Sequence, residues 1–368
     1  MEIPFHAPER FYKKYKSQSD KIFESVCTSG QFFHSKSIDE FEKKLASCCN
    51  RKFAVSTGSC TSALHFSLLA IGIKTGDKII VPAVSFIATA SAVLATGAEP
   101  VFADIDPMTG LIDMNHVEKI LLAENIKAVI PVDLYGSMVD PSAISALQHK
   151  FSIPVIVDAA QSIGSSYQGI PAGNPGTISC ISFDPTKIIH AFGSGGAVLT
   201  NDENVANTIR SLRYHGKYND DFTTAGFNSR MNTVQIELLF LQLNHLDEIV
   251  TDRRETADYF ISEFKKSEYF EIISSGATLS NFHKFVIKTK YRDAMKIFLS
   301  ENGISTMIHY GKALYKNKLF DTIPFIAENI IYAENFCNEI LSLPLHTYMT
   351  EEEKKYLCQI IKQFKPSL

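Results

Sequence analysis

Val155-Ile-Val-Asp158-Ala-Ala-Gln161, then Ser182-Phe-Asp-Pro-Thr-Lys187 and Gly193-Ser-Gly-Gly196, decide how this 368-residue chain is read. A carboxylate closes an apolar, β-branched run, and a lysine follows among small residues and glycines. That pairing is what a pyridoxal 5'-phosphate site needs. The lysine amine forms a Schiff base with the cofactor aldehyde, and the carboxylate keeps the pyridine nitrogen protonated so that the ring accepts electrons. Taken alone, Asp158 reads equally well as a helix N-cap after a strand; Lys187 downstream tips the balance. A lysine drawn out of water in such a stretch has a lowered pKa, as imine chemistry requires.

Outward from this stretch, short apolar runs alternate with helical ones. Strand candidates are Ala54-Val55, Lys78 to Pro82, Pro100 to Ala103, Ala128 to Val132, Val155 to Val157 and Ala197 to Thr200. Helical stretches at Ser62 to Ala70 and Thr89 to Thr96 separate them. The alternation implies an α/β fold with a mostly parallel central sheet flanked by helices. The first fifty residues read as helical, with Ser37-Ile-Asp-Glu40 as a capping box. One long helix is expected from Met231 to about Lys265, because Ile236, Leu239, Phe240, Leu243, Leu246 and Ile249 recur at helical spacing. A strand at Phe282 to Ile287 and helices at Asp293 to Glu301 and Ile326 to Leu341 then form a smaller α+β domain. The expected division is 1–250 for the N-terminal segment and large domain, and 251–368 for the small one.

Composition narrows the function classes. Hydrophobic residues make up 45% and charged residues 21%, and the net charge of −4 gives no reason to expect nucleic acid or an anionic membrane as partner. No apolar run is long enough to span a bilayer, and the first residues carry no signal-peptide pattern. Seven cysteines lack metal-ligand or redox spacing, so no metal is expected and a reducing cytoplasm is the expected setting.

Other segments carry candidate chemistry. Ser56-Thr-Gly-Ser59-Cys60-Thr-Ser-Ala-Leu64 is a hydroxyl-rich turn opening a helix, suited to a phosphate or simply an N-cap. Cys60 reads as a small filler. Ser182 is a candidate phosphate donor, Gln161 a partner for the cofactor's phenolic oxygen or a solvated amide, and Phe86 a ring-stacking or a core aromatic. Gly226-Phe-Asn228-Ser-Arg230-Met231 supplies an amide and a guanidinium, or a capped turn. His190 receives no role. A nicotinamide dehydrogenase is disfavoured, since the glycine fingerprint after the first strand is missing.

Together these motifs resemble the DegT/StrS type of sugar-nucleotide aminotransferase, a branch of the fold type I PLP-dependent transferases. The resemblance also rests on Gly76-Asp-Lys-Ile-Ile-Val-Pro82, Ser85-Phe-Ile-Ala-Thr89, Gly97-Ala-Glu-Pro-Val-Phe-Ala-Asp-Ile-Asp106, Leu134-Tyr-Gly136, Arg213-Tyr-His-Gly216 and Ile308-His-Tyr310. It implies Lys187 as Schiff-base lysine and proton shuttle, Asp158 on the ring nitrogen and Gln161 on the ring hydroxyl. Ser59, Cys60 and Ser182 would hold the phosphate, and Phe86 would cover the ring. Asn228 would reach the cofactor phosphate of a second subunit, which implies a homodimer with shared active sites. His309 and Tyr310 match positions near the sugar nucleotide.

The implied reaction converts a nucleotide-linked keto-deoxy sugar to an amino sugar, with a dTDP-3-keto-6-deoxyhexose and glutamate expected. A 4-keto sugar, a PLP-dependent lyase or deoxygenase, and a non-enzymatic regulator are the alternatives. The chain departs from the family at Asp133, where histidine is common, and at Asp184, where tyrosine is common. Both are expected on the substrate side.

Overall fold

Lys78-Ile-Ile-Val-Pro82 shows why the centre of the molecule is a parallel sheet. Ile79, Ile80 and Val81 are all fully buried, so both faces of this strand are covered and neither can be polar. The computed structural model describes residues 1–33 and 36–366. Seven strands form the central layer: β1 (Phe53–Thr57), β2 (Lys78–Pro82), β3 (Glu99–Ala103), β4 (Ile126–Val129), β5 (Ile156–Asp158), β6 (Ile178–Ser182) and β7 (Gly196–Thr200). Hydrogen bonding gives the runs β1-β7-β6-β5 and β3-β2-β4. Parallel bridges at Val129–Val155 and Val132–Asp158 bring β4 beside β5 and join the two runs. Only β7 opposes its neighbours, being antiparallel to both β1 and β6.

The strands β1, β2, β5 and β6 therefore end on the same edge, where an open α/β sheet leaves a crevice. Two apolar clusters cover the sheet, one built around Phe66, Phe102 and Leu68, the other around Phe41, Phe183 and Leu239. A third, around Phe260, Phe285 and Leu357, packs on the antiparallel sheet of Glu271–Ile272, Phe285–Lys288 and Ile340–Leu343. The N-terminus belongs with this third cluster, because Ile3 is buried there and bridges to Ile304.

Several local expectations are corrected. The long helix is two, Thr233–Asn244 and Leu246–Phe264, interrupted at His245. Both halves turn the same apolar face inward, so the periodicity runs through the break unaltered. The stretch Ile326 to Leu341 is not one helix: only Ala333–Glu339 is helical, and Ile340 opens a strand. Ser37 lies inside the helix Lys36–Cys48, not at its cap, and its hydroxyl reaches Glu237. Strand β6 has no counterpart among the expected strands, because Ile178-Ser-Cys-Ile-Ser182 alternates small polar and apolar residues although every one is buried.

Candidate active site

At the shared strand edge lies a cavity of about 550 Å³, lined by Ser59, Cys60, Phe86, Asp158, Gln161, Ser182 and Lys187, with His309 and Tyr310 across it. Nine of the ten residues singled out from the sequence thus meet in one space. Asn228, the tenth, is exposed and lies outside this lining.

The turn after β1 builds one end of the cavity. Ser59 caps the helix Cys60–Ala70, its Oγ accepting the Ser62 N–H at 3.1 Å. The first N–H groups of that helix have no intrahelical partner and carry partial positive charge, the usual seat for a phosphate. Gly196 packs against the turn so closely that a Cβ there would stand 2.5 Å from the Cys60 nitrogen. The turn is pinned from behind by Glu42, which accepts the Ser56 N–H at 2.8 Å and pairs with Arg213 at 2.6 Å. Gly58 N–H donates to the Ser229 carbonyl at 2.7 Å, which ties the segment carrying Asn228 to the same turn.

The carboxylate and the amine follow from strands β5 and β6. Asp158 ends β5, buried, with Oδ2 accepting the Thr89 hydroxyl at 2.8 Å and Oδ1 the Ala160 N–H at 3.2 Å. Burial raises its pKa, against those two hydrogen bonds and the Lys187 charge. Lys187 follows a tight turn in which Asp184 Oδ1 accepts both the N–H and the hydroxyl of Thr186, and Asp184 O accepts the Lys187 N–H. Desolvation lowers the Lys187 amine below the ordinary lysine range, opposed by Asp158 and Asp184. A carboxyl raised and an amine lowered, facing one cavity, mark a site built for an ionisable guest.

Gln161 bridges two elements: its Oε1 accepts the Tyr135 N–H at 2.9 Å and its amide nitrogen lies 3.4 Å from the Tyr310 hydroxyl. Phe86 and Tyr310 stand 6.0 Å apart, ring centre to ring centre. His309 Nδ1 meets Ser342 Oγ at 2.9 Å, and burial pushes the imidazole down to about 3. His190 lies outside this cavity's lining, its backbone clamped by Gln242.

The two departures separate here. Asp184 lines the cavity. Asp133 does not: it is buried behind it, accepting the Val139 N–H at 3.0 Å and the Ser162 hydroxyl at 2.8 Å. Its expected place on the substrate side is therefore corrected to a structural one. The cavity also takes His6, His283 and Lys284, none of which carries a signal in the sequence. They come from the N-terminal segment and from the approach to a strand far along the chain, and meet only when both fold against the large sheet.

The fit to a phosphorylated aromatic aldehyde is good on this donor set. A helix N-terminus with hydroxyls, a buried carboxylate lacking a full counter-charge and an amine of lowered basicity share one apolar-walled space. A family model describing the DegT/DnrJ/EryC1/StrS aminotransferase family matches residues 13–362. The chain belongs to that family. The aminotransferase is pyridoxal-phosphate-dependent, with the fold type I architecture.

Among its relatives, the "Pleiotropic regulatory protein" of Geobacillus stearothermophilus is 33% identical over 370 residues, covering 99% of each chain. The dTDP-3-amino-3,6-dideoxy-alpha-D-galactopyranose transaminase of Aneurinibacillus thermoaerophilus is 31% identical, over 98% of this chain and 99% of its own. The aminotransferase also superposes on the crystal structure of S. venezuelae DesV in complex with a ketimine intermediate. There the TM-score is 0.94 at 29% identity, over 98% of both chains. Among the described residues no helix is long and apolar enough to cross a membrane.

Proposed function

We propose that this aminotransferase moves an amino group from an amino acid, glutamate in the first instance, to the keto carbon of a nucleotide-linked keto-deoxy sugar. The substrate we favour is a dTDP-3-keto-6-deoxyhexose, giving the 3-amino sugar. What carries this reading is the convergence of Lys187 and Asp158 on a cavity that also holds His309 and Tyr310. The activity named for the Aneurinibacillus relative supports the 3-amino assignment.

When bound, pyridoxal phosphate supplies an electron sink for the carbon that carries nitrogen and stores the amino group between half-reactions. The residues supply the rest. Ser59, Cys60 and Ser182 would hold the phosphate at the helix N-terminus. Asp158, kept in place by Thr89, would face the ring nitrogen, whose proton gives the carboxylate its missing counter-charge. Gln161 would meet the ring hydroxyl and Phe86 would cover the ring. Lys187 Nζ, its basicity lowered by burial, would take the proton from the substrate carbon that bears nitrogen. His309 and Tyr310 would contact the sugar.

Asn228 supports a homodimer within the same reading. It is exposed, yet tied through Ser229 to the phosphate turn, and exposed Phe222 and Phe227 lie beside it in the chain. A second subunit covering that surface would receive the amide at its own cofactor phosphate. The free cysteines fit a reducing cytoplasm.

The test is product formation from a panel of nucleotide keto sugars with glutamate, read by mass spectrometry and NMR. Amination at C3 of the dTDP sugar is expected. Amination at C4 would change the substrate; deoxygenation or elimination would change the reaction. A cofactor-loaded protein that aminates none would favour the regulatory reading that the Geobacillus relative's name raises.

A further inference from the structure

Lys284 stands out among the charges of the described residues. It is 7% exposed, lines the active-site cavity, and enters no ion pair among the described residues. Its Nζ lies 3.3 Å from His6 Nε2 and 4.9 Å from the Phe5 ring centre, and among the described residues it makes no other side-chain hydrogen bond or cation–π contact. Neighbouring Arg253 shows what a structural cation does in the same region. Its Nε donates to the Asn281 carbonyl and its Nη2 to the carbonyls of Phe282, His283 and Leu345, so it is held by backbone. Lys284 has no such carbonyls.

A buried ammonium without a counter-ion is expensive unless a partner arrives. Burial, Lys187 and Arg253 hold the Lys284 amine well below the ordinary lysine range, with only Asp184 opposing. The imidazoles around it add no negative charge: burial pushes His6 and His309 each down to about 3, and His283 is lowered as well. The phosphate seat at the Ser59 turn is already furnished by helix N–H groups and hydroxyls. What the Lys284 corner lacks is an anion of its own.

We propose that Lys284, with His6 beside it, forms a carboxylate-binding subsite of this cavity, filled by the amino-acid donor or by an acidic group on the keto sugar. This rests on the aminotransferase reading of the site. Arg253 anchors the backbone at Asn281 to His283 and so fixes where Lys284 enters the cavity. Lys284 is thus a residue that positions the reacting carbon against Lys187 by holding the substrate's charged end.

The test uses the cofactor-loaded protein. Glutarate, an unreactive stand-in for the donor, is titrated by calorimetry into wild type, Lys284→Gln and Lys284→Arg. Single-turnover loss of the cofactor's imine absorbance is followed against glutamate, and its return against keto sugars with and without a carboxylate. Loss of a charged hydrogen bond should raise the glutamate needed for half-saturation about tenfold or more, weaken glutarate in parallel, and be partly rescued by Lys284→Arg.

A shift confined to the acidic keto sugar would also support the subsite and assign it to the sugar. A variant that loads cofactor and binds glutarate, glutamate and acidic sugar unchanged would overturn the proposal. Should Lys284→Gln fail to load cofactor, His6→Ala must show the same selective weakening, and its absence would overturn the proposal equally. Wild type that binds glutarate through Lys284 yet aminates no sugar would leave the subsite standing and remove the sugar-aminotransferase reading.

Discussion

Asp158 Oδ2 accepts the Thr89 hydroxyl at 2.8 Å, and Thr89 Oγ1 in turn meets Ser85 Oγ at 3.0 Å. The acid that faces the cavity is thus held by the first turn of the helix Ala88–Leu94, next to the loop that presents Phe86. Thr89→Val keeps the shape and removes the hydrogen bond, leaving a buried carboxylate with one fewer donor. Such a loss is worth about 1–3 kcal/mol, so the rate of transamination should fall roughly tenfold or more. Thr89→Ser should retain most activity, and steady-state kinetics on the two variants checks this.

Gly196→Ala tests the phosphate turn. The added methyl would stand 2.5 Å from the Cys60 nitrogen and 2.5 Å from the Ser59 carbonyl carbon, both backbone atoms that cannot rotate away. Overpacking of this kind costs about 1–3 kcal/mol. The variant should melt at a lower temperature and bind pyridoxal phosphate more weakly, as read by calorimetry and cofactor titration.

Glu42 and Arg213 test the support behind that turn. Glu42 is buried and Arg213 half-buried, and the pair shares Ser56 between them. Glu42→Ala would strand the guanidinium, and breaking a buried pair from one side costs about 3–5 kcal/mol. Urea unfolding should show that loss, with a smaller one for Glu42→Gln.

Acid stability follows from the buried histidines. Burial pushes His190 and His346 each down to about 4, from an ordinary 6.5. Their folded pKa values are below the unfolded ones, so the unfolded chain binds more protons. The stabilisation is complete above pH 6.5 and is lost as pH falls toward 4, at about 1.4 kcal/mol per pH unit for each group. Asp133, pushed up to about 7, and Asp158, also raised by burial, act in the opposite sense, but they are two groups against the lowered His6, His65, His190, His283, His309 and His346. Melting temperature should drop on acidification through this window, and unfolding of His346→Asn at pH 5.5 should take up close to one proton fewer than wild type.

Much of this was legible from residues, for identifiable reasons. Asp158, Ser182 and Lys187 sit in short contiguous motifs whose side-chain types constrain one another, and the turn at Ser59 announces itself by its hydroxyls. The parallel sheet was legible because strands buried on both faces must be apolar throughout. Strand β6 escaped that rule, since its serines are buried without breaking the sheet: Ser179 Oγ, for one, donates to the Pro175 carbonyl at 2.7 Å. The break at His245 was hidden because both helices share one buried face. His6 and Lys284 are 278 positions apart and become neighbours only in the folded chain. No local pattern foretells such a pair.

The central claim is that the amine of residue 187 is the one that bonds the cofactor. It is tested most directly by loading the protein with pyridoxal 5'-phosphate, reducing with borohydride and mapping the labelled peptide by mass spectrometry. The account predicts a single modification, on Lys187, that disappears in Lys187→Ala while the protein stays folded. A label on Lys284, the other lysine of the cavity, or no label at all, would contradict it.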